Sequence, residues 1–120
     1  MAEAGLFIGF GRAARARETQ AIDVLRQLRA LCEQRRDAGT IAHVDAVLLA
    51  PHGGDLGGFM LLRGSVEQLD RLQRDEDFRR LTVRAGLVAE RLGIVEAHVD
   101  AGFETALERY EEQVREQLAS

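Results

Sequence analysis

Hydrophobic and polar positions along the chain follow two different spacings, and the change from one to the other marks out the elements. Residues 6–10 form a short apolar run that ends at Gly11, which is typical of a buried strand. The segment after it repeats apolar residues every three or four positions, as one face of a helix does. These apolar residues are Ala21, Val24, Leu25, Leu28, Leu31 and Cys32, and Gly39 supplies the helix stop.

The middle of the chain predicts a hairpin. Residues 41–49 are typical of a second strand that ends at Pro51, and residues 59–63 of a third. The segment between them, residues 51–58, has the glycine-rich composition of a turn. We therefore expect strands two and three to pair as neighbours.

The second half of the chain predicts two more helical segments and a strand. Ser65 with Gln68 three residues later matches a capping box, which begins a helix. The acidic residues 75–77 indicate a fresh helix start, and Gly86 indicates its end. Residues 94–99 predict a fourth strand. A last amphipathic helix follows, with Phe103, Leu107, Tyr110, Val114 and Leu118 on its apolar face.

This order of elements, βαββαβ with an extra C-terminal helix, predicts an α+β, ferredoxin-like domain. The expected sheet is four-stranded and antiparallel, in the order four, one, three, two, with two helices on one face. A length of 120 residues suits one domain. We divide it into a core at residues 6–102 and a C-terminal helix at residues 103–120.

Composition excludes several function classes. The chain has no Lys, no Trp and no Asn, so Schiff-base lysines and Walker-type phosphate loops are ruled out. The net charge is -4, and the Arg-rich run at residues 12–17 has no interleaved aromatics, so we expect no nucleic-acid partner. No apolar run is long enough for a membrane span, and no secretory pattern opens the chain, so we expect a cytoplasmic protein. The single cysteine, Cys32, is expected to be a small core hydrophobe.

One pentapeptide, Ala-His-Val-Asp-Ala, occurs twice, at residues 42–46 and 97–101. Because strand side chains alternate, His43 lies beside Asp45 and His98 beside Asp100 on one sheet face. Each pair could serve as an imidazole oriented by a carboxylate, which makes these four residues the candidate catalytic groups. In the expected sheet the two pairs lie about 14 Å apart, three strand spacings. The alternative is an accidental repeat in a chain rich in Ala, Val and Asp.

Three further residues are candidate ligand-binding groups. His52 lies with Asp55 in the glycine-rich turn, Arg63 ends strand three where it could meet a carboxylate, and Glu96 shares a face with His98 and Asp100. The alternatives are a turn stabilised by its own side chains, a surface arginine, and a solvated strand face. We expect no metal and no cofactor, since the histidines and aspartates of the repeat could act as ligands together only in a closed dimer.

One sheet face lacks a predicted cover. Either the last helix folds back over it, or a second copy packs sheet against sheet. In that homodimer, strand two of one copy meets strand four of the other, which would bring His43 near His98. The candidate residues for this face are Leu6 or Phe7, Val47, Leu49, and Phe59 or Met60.

Three segments resemble the dimeric α/β-barrel superfamily, which includes antibiotic-biosynthesis monooxygenases, YciI-like proteins, stress-response barrel proteins and haem-degrading monooxygenases. They are the Pro-His-Gly-Gly-Asp turn at residues 51–55, the Gly-Phe-Met-Leu-Leu-Arg-Gly strand at residues 58–64, and the Ser-Val-Glu-Gln-Leu helix start at residues 65–69 with Asp77 and Phe78 beyond it. The resemblance covers residue 6 to about residue 103.

The resemblance implies a dimer whose two sheets enclose a cavity, which some relatives use for cofactor-free oxidation or isomerisation. YciI-like relatives pair a histidine with an aspartate, but neither His-x-Asp copy here can be matched to their motif. Haem-degrading and quinone-forming relatives depend on Asn and Trp, which this chain lacks, so an oxygenase activity is not transferred.

Three functions remain as hypotheses. The first is a dimer that binds a small apolar or aromatic molecule between its sheets without chemistry of its own. The second is a cofactor-free enzyme, of isomerase, cyclase or monooxygenase type, with a His-Asp pair as general base. The third is a structural or protein-interaction role.

Overall fold

The computed structural model describes residues 3–119, and within them the chain forms four strands and four helices. The predicted C-terminal helix corresponds to the last of these, while residues 1, 2 and 120 of the predicted domain lie outside the described residues. The elements are β1 (Ala4–Phe10), α1 (Glu18–Asp37), β2 (His43–Leu48), β3 (Gly58–Gly64), α2 (Val66–Gln73), α3 (Glu76–Val88), β4 (Gly93–Ala97) and α4 (Ala101–Ala119).

The four strands form one antiparallel sheet in the order β2-β3-β1-β4. This order and the β2–β3 hairpin are those predicted, and the α+β, ferredoxin-like arrangement with an extra C-terminal helix is confirmed. Helices α1, α2 and α3 cover one face, where side chains from β1 and β3 meet the apolar stripes of the helices. The buried core includes Leu6, Ile8, Met60, Leu62, Leu28, Leu31, Leu69, Leu72 and Phe78.

Cys32 lies in this core with no exposed surface. Burial raises the pKa of its thiol to about 12, because the interior disfavours the thiolate. A thiol in this state is a poor nucleophile, which fits the expectation of a small core hydrophobe.

Several element ends differ from the predictions by one or more residues, and three of them affect the packing or the site. Helix α3 continues past Gly86 to Val88, because Ala85 and Val88 pack on Ala21 and Val24 of α1, and this burial outweighs the cost of one helical glycine. Strand β2 begins only at His43, because the backbone N–H groups of Thr40 and Ile41 donate to the Arg35 carbonyl of α1 instead of a neighbouring strand. Strand β4 ends at Ala97 rather than residue 99, which matters for the site described below.

Helix α4 stands apart from the rest of the fold. Within residues 101–119 no side chain is buried, although the helix carries the predicted apolar stripe. The exposed stripe comprises Phe103, Leu107, Tyr110, Val114 and Leu118.

No helix among residues 3–119 has both the length and the apolar character required to cross a membrane.

Side-chain caps begin both helices of the second half. The Ser65 hydroxyl accepts from the backbone N–H of Gln68, and the side-chain oxygen of Gln68 accepts from the backbone N–H of Ser65, which is the predicted capping box. The Asp75 carboxylate accepts from the backbone N–H groups of Asp77 and Phe78 and so caps α3. The same carboxylate binds Arg35 near the end of α1 at 3.1 Å, which ties the two helices together.

We expect Asp75→Ala to lower the free energy of unfolding by about 2 kcal/mol and Asp75→Asn by about 1 kcal/mol, since Asn keeps the cap and loses the charge. The hydrogen bond from Arg35 holds the pKa of Asp75 below its ordinary value of 3.8. A carboxylate with a lowered folded-state pKa contributes stability above its unfolded pKa and loses it as the pH falls through the folded value. Urea unfolding at pH 7 and pH 3 should therefore show the difference between wild type and Asp75→Asn shrinking at pH 3. Equal losses for the two variants, or a difference that does not change with pH, would contradict this account.

Candidate functional site

The sheet face opposite the three packed helices carries a band of apolar side chains. In the pairing register Phe7 lies opposite Leu61 on one side and Val95 on the other, and Val47 lies opposite Phe59. These residues share one face because directly paired residues of antiparallel strands point the same way. The rings of Phe7 and Phe59 stack with their centroids 5.4 Å apart. Of the alternatives predicted for this face, Phe7 and Phe59 lie on it, whereas Leu6 and Met60 lie in the core.

Gly9 leaves room for this aromatic stack. A Cβ atom at Gly9 would lie 2.5 Å from a ring carbon of Phe7, so the ring occupies the space that a side chain there would take. Phe59 is the residue paired with Gly9 on β3. The rings of Phe7 and Phe59 therefore meet over the backbone of Gly9.

A polar row crosses one end of the same face. His43, Arg63, Gly5 and Ala97 are paired in succession across β2, β3, β1 and β4. His43 Nε2 lies 3.2 Å from Asp45 Oδ1, and both side chains are about half exposed. The Nη1 group of Arg63 donates to Asp100 Oδ2 at 2.9 Å, with 28% of the Arg63 side chain and 62% of the Asp100 side chain exposed.

Gly5 allows Asp100 to reach Arg63 from the far side of β1. After β4 the chain turns back over the sheet, with Val99 buried and Asp100 at a φ of 52°, in the left-handed region. A Cβ atom at Gly5 would lie 3.0 Å from the Ala97 carbonyl oxygen and 3.1 Å from Val99 Cγ1. Because Gly5 has no side chain, the chain after β4 can pass close over β1 and bring Asp100 to Arg63 on β3.

The two copies of the repeated pentapeptide have different structures. The first forms the predicted His43–Asp45 contact. The second does not pair as predicted, because β4 ends at Ala97 and Asp100 binds Arg63 instead of His98. His98 is exposed beyond the strand end.

The prediction that Asp100 lies beside His98 is therefore wrong, whereas β2 and β4 are the opposite edges of the sheet, as predicted. Asp100 crosses to Arg63, which is the direct strand neighbour of His43. A single chain brings His43, Asp45, Arg63 and Asp100 to one end of the open face, while His98 takes no part in these contacts.

The prediction that Glu96 shares a sheet face with Asp100 is wrong. Glu96 is paired with Leu6, whose side chain is buried under the helices, so Glu96 points to the helical side of the edge strand. There it borders a shallow groove with Val66 and Asp70 of α2. It is separated by the sheet from the polar row.

His52 uses both ring nitrogens within its own turn. The Gly54 N–H donates to Nδ1 at 3.2 Å, and Nε2 lies 2.8 Å from the Leu56 carbonyl oxygen. Since Nδ1 accepts, Nε2 carries the proton and donates. Asp55 pairs with Arg91 at 3.5 Å on the surface. These contacts match the alternative of a self-stabilised turn. Among residues 3–119 no three His, Cys, Asp or Glu side chains are grouped as metal ligands.

Solved structures share this fold at low sequence identity. A dimeric ferredoxin-like protein of unknown function from Jannaschia aligns with a TM-score of 0.66 and 8% identity over 82% of this chain and 100% of that one. SnoaB, a cofactor-independent oxygenase from Streptomyces nogalater, aligns with a TM-score of 0.57 and 11% identity over 82% of this chain and 95% of that one. A hydroxynitrile lyase from Passiflora edulis aligns with a TM-score of 0.59 and 10% identity over 81% and 94%. No protein-family model and no curated protein matches the sequence.

These likenesses confirm the predicted resemblance at the level of the fold. Their described functions differ from one another, so the fold alone does not identify a reaction.

Sequence reasoning missed the link from Asp100 to Arg63 and the role of Gly5. One partial signal was present: Gly9 lies in the predicted first strand and Gly5 directly precedes it, and because the strand begins at Ala4 both glycines fall on one face and leave gaps in it. That pattern indicates places where other groups approach the backbone. Which groups approach depends on the turn after β4, and no local pattern showed that turn.

We expect Gly5→Ala to destabilise the fold by about 1 to 3 kcal/mol, because the new methyl group would crowd the Ala97 carbonyl and Val99. Gly93 is a matched control in the same sheet, since a Cβ atom there meets nothing within 4 Å. Gly93→Ala should leave stability unchanged or raise it by up to about 1 kcal/mol. Thermal or urea unfolding of the two variants measures the difference, and equal effects would contradict the role assigned to Gly5.

Proposed function

We propose that two copies of this chain pack open face to open face and bind a small apolar or aromatic molecule between their sheets. The observation that carries the proposal is the apolar band around the Phe7–Phe59 stack, which the described chain leaves without a covering layer. A contiguous apolar surface of this kind favours a partner or a ligand.

Helix α4 does not provide the cover. Its stripe, residues 103 to 118, is itself exposed, so the monomer leaves two apolar surfaces in water. A two-fold dimer can bury both, since each copy then offers its α4 to the other while the sheets pack together. The dimeric Jannaschia protein and a dimeric Bacteroides fragilis protein of the same fold support this assembly.

The stacked phenylalanines favour a flat apolar ligand. Aromatic faces contact such molecules over a large area and lose little side-chain freedom in doing so. The polar row at one end of the band would face the same space and orient the bound molecule, because binding sites typically combine an apolar lining with a few placed polar groups.

We expect the purified protein to have twice the monomer mass in solution, measured by light scattering after size exclusion. Leu61→Asp places a charge in the middle of the apolar band and should shift the protein to the monomer, because the carboxylate would be buried in the interface. Val83→Asp is the matched control, since Val83 is 66% exposed on α3 in the helical layer. It should leave the dimer intact.

Circular dichroism of both variants separates dissociation from unfolding. A wild-type monomer at micromolar concentration, or a folded Leu61→Asp variant that remains a dimer, would contradict the proposed assembly.

A second candidate function is general-base catalysis by His43. The observation that favours it is the 3.2 Å contact between His43 Nε2 and Asp45 at the edge of the apolar band. A carboxylate beside an imidazole stabilises the imidazolium that forms when the ring takes a proton. Such a dyad suits removal of an acidic C–H proton from an apolar ketone, as an isomerase or cyclase requires.

We expect the wild-type protein to speed deuterium exchange at the benzylic carbon of 2-tetralone in D2O, followed by NMR. His43 takes the proton, the enolate takes a deuteron from D2O, and the imidazolium gives its proton to the deuteroxide left behind, which regenerates the ketone and the free base. His43→Ala should lower the exchange above the buffer rate by about 100-fold, the size typical of a positioned base. His98→Ala is the control and should exchange as the wild type does. Equal rates for wild type and His43→Ala would exclude the dyad as the base for this ketone.

A further inference from the structure

We propose that Arg63 binds the carboxylate of an aromatic acid, and that the Asp100 carboxylate holds this position until the acid displaces it. The inference rests on the proposed ligand site between the sheets and names the chemical class of its ligand.

Arg63 has the donors that such a ligand requires. A guanidinium group presents five N–H donors in a planar fork that matches a carboxylate. Among residues 3–119, Arg63 makes one side-chain hydrogen bond, from Nη1 to Asp100. Of the residues within the four strands, Arg63 is the only arginine on the open face. The remaining donors are therefore available on the face where the ligand is proposed to lie.

Asp100 is held weakly enough to be exchanged. It meets Arg63 through one oxygen at 2.9 Å, and 62% of its side chain is exposed. Its φ of 52° lies in the left-handed region, which aspartate adopts more readily than most other residues, so only the side chain has to move when another carboxylate takes its place. Replacing one carboxylate by another leaves the charge on Arg63 balanced. The ligand pair would be covered by the second sheet, where the lower dielectric strengthens it.

The apolar band and Arg63 are spaced for one molecule. Phe7 lies opposite Leu61, two residues along β3 from Arg63, which is about 7 Å in a strand. A flat two-ring body on the phenylalanines would thus reach Arg63 with its acid group. Asp45, paired with Leu61 at the β2 end of the same row, repels a carboxylate there and favours the Arg63 end.

The experiment measures calorimetric affinities of the purified protein for 2-naphthoate and 2-naphthamide, which share a ring system and differ in charge. We expect wild type to bind the acid about 10-fold or more tighter, the effect of a charged hydrogen-bonded pair. Arg63→Gln should remove that preference and leave the amide affinity unchanged. Asp100→Asn should tighten the acid alone by several fold, because the competing carboxylate is gone. Arg80→Gln, on exposed α3, is the matched control and should behave as wild type.

Equal wild-type affinities for acid and amide would overturn the inference while leaving the apolar site intact. An unchanged acid affinity in Asp100→Asn would overturn the exchange. If Arg63→Gln fails to fold, Arg63→Lys replaces it: the charge is kept without the fork, and acid affinity equal to wild type would count against Arg63. If neither probe binds wild type, the proposed ligand site itself fails, and the inference fails with it.

Discussion

The pairing register of β1 with β3 determines what each sheet face presents. With Leu6 opposite Leu62 and Ile8 opposite Met60, these four side chains lie under the helices and form the core. The same register sends the intervening residues to the other face. A shift by one residue would exchange the two sets, exposing the core residues and burying Arg63, so core packing also holds the site in place.

The open sheet face and α4 are both apolar surfaces that the single chain leaves exposed. Three helices suffice to cover one side of a four-stranded sheet, and the fourth helix leaves the body of the fold without burying any side chain of its own. Both uncovered surfaces are apolar, and both become buried in the proposed dimer. The turn at Val99 and Asp100 joins them, because Val99 packs over Gly5 and α4 begins at the next residue but one. A ligand that displaces Asp100 from Arg63 would thus act on the turn that directly precedes α4.

Two glycines shape the chemistry of the face. Gly9 gives space to the Phe7 ring, and Gly5 gives space to the chain after β4, so an aromatic surface and an ion pair lie on neighbouring rows of the same strand. The His43–Asp45 dyad lies at the β2 edge of these rows. This arrangement places an imidazole–carboxylate pair, an arginine and an apolar platform within one surface, which is the combination of groups typical of a small-molecule site.

The sequence by itself determined the elements, their order and the sheet topology, because hydrophobic spacing, the Ser65 capping box and the acidic start at Asp75 are local signals. It also indicated the His43–Asp45 contact, which depends only on strand alternation. The tertiary structure decided the rest. Strand β4 ends at Ala97 because the chain then turns over Gly5 with Val99 packed on it, and the Asp100–Arg63 pair joins residues 37 positions apart across a strand that neither belongs to. This long-range contact follows from packing over Gly5, and the sequence around Arg63 or Asp100 does not indicate it.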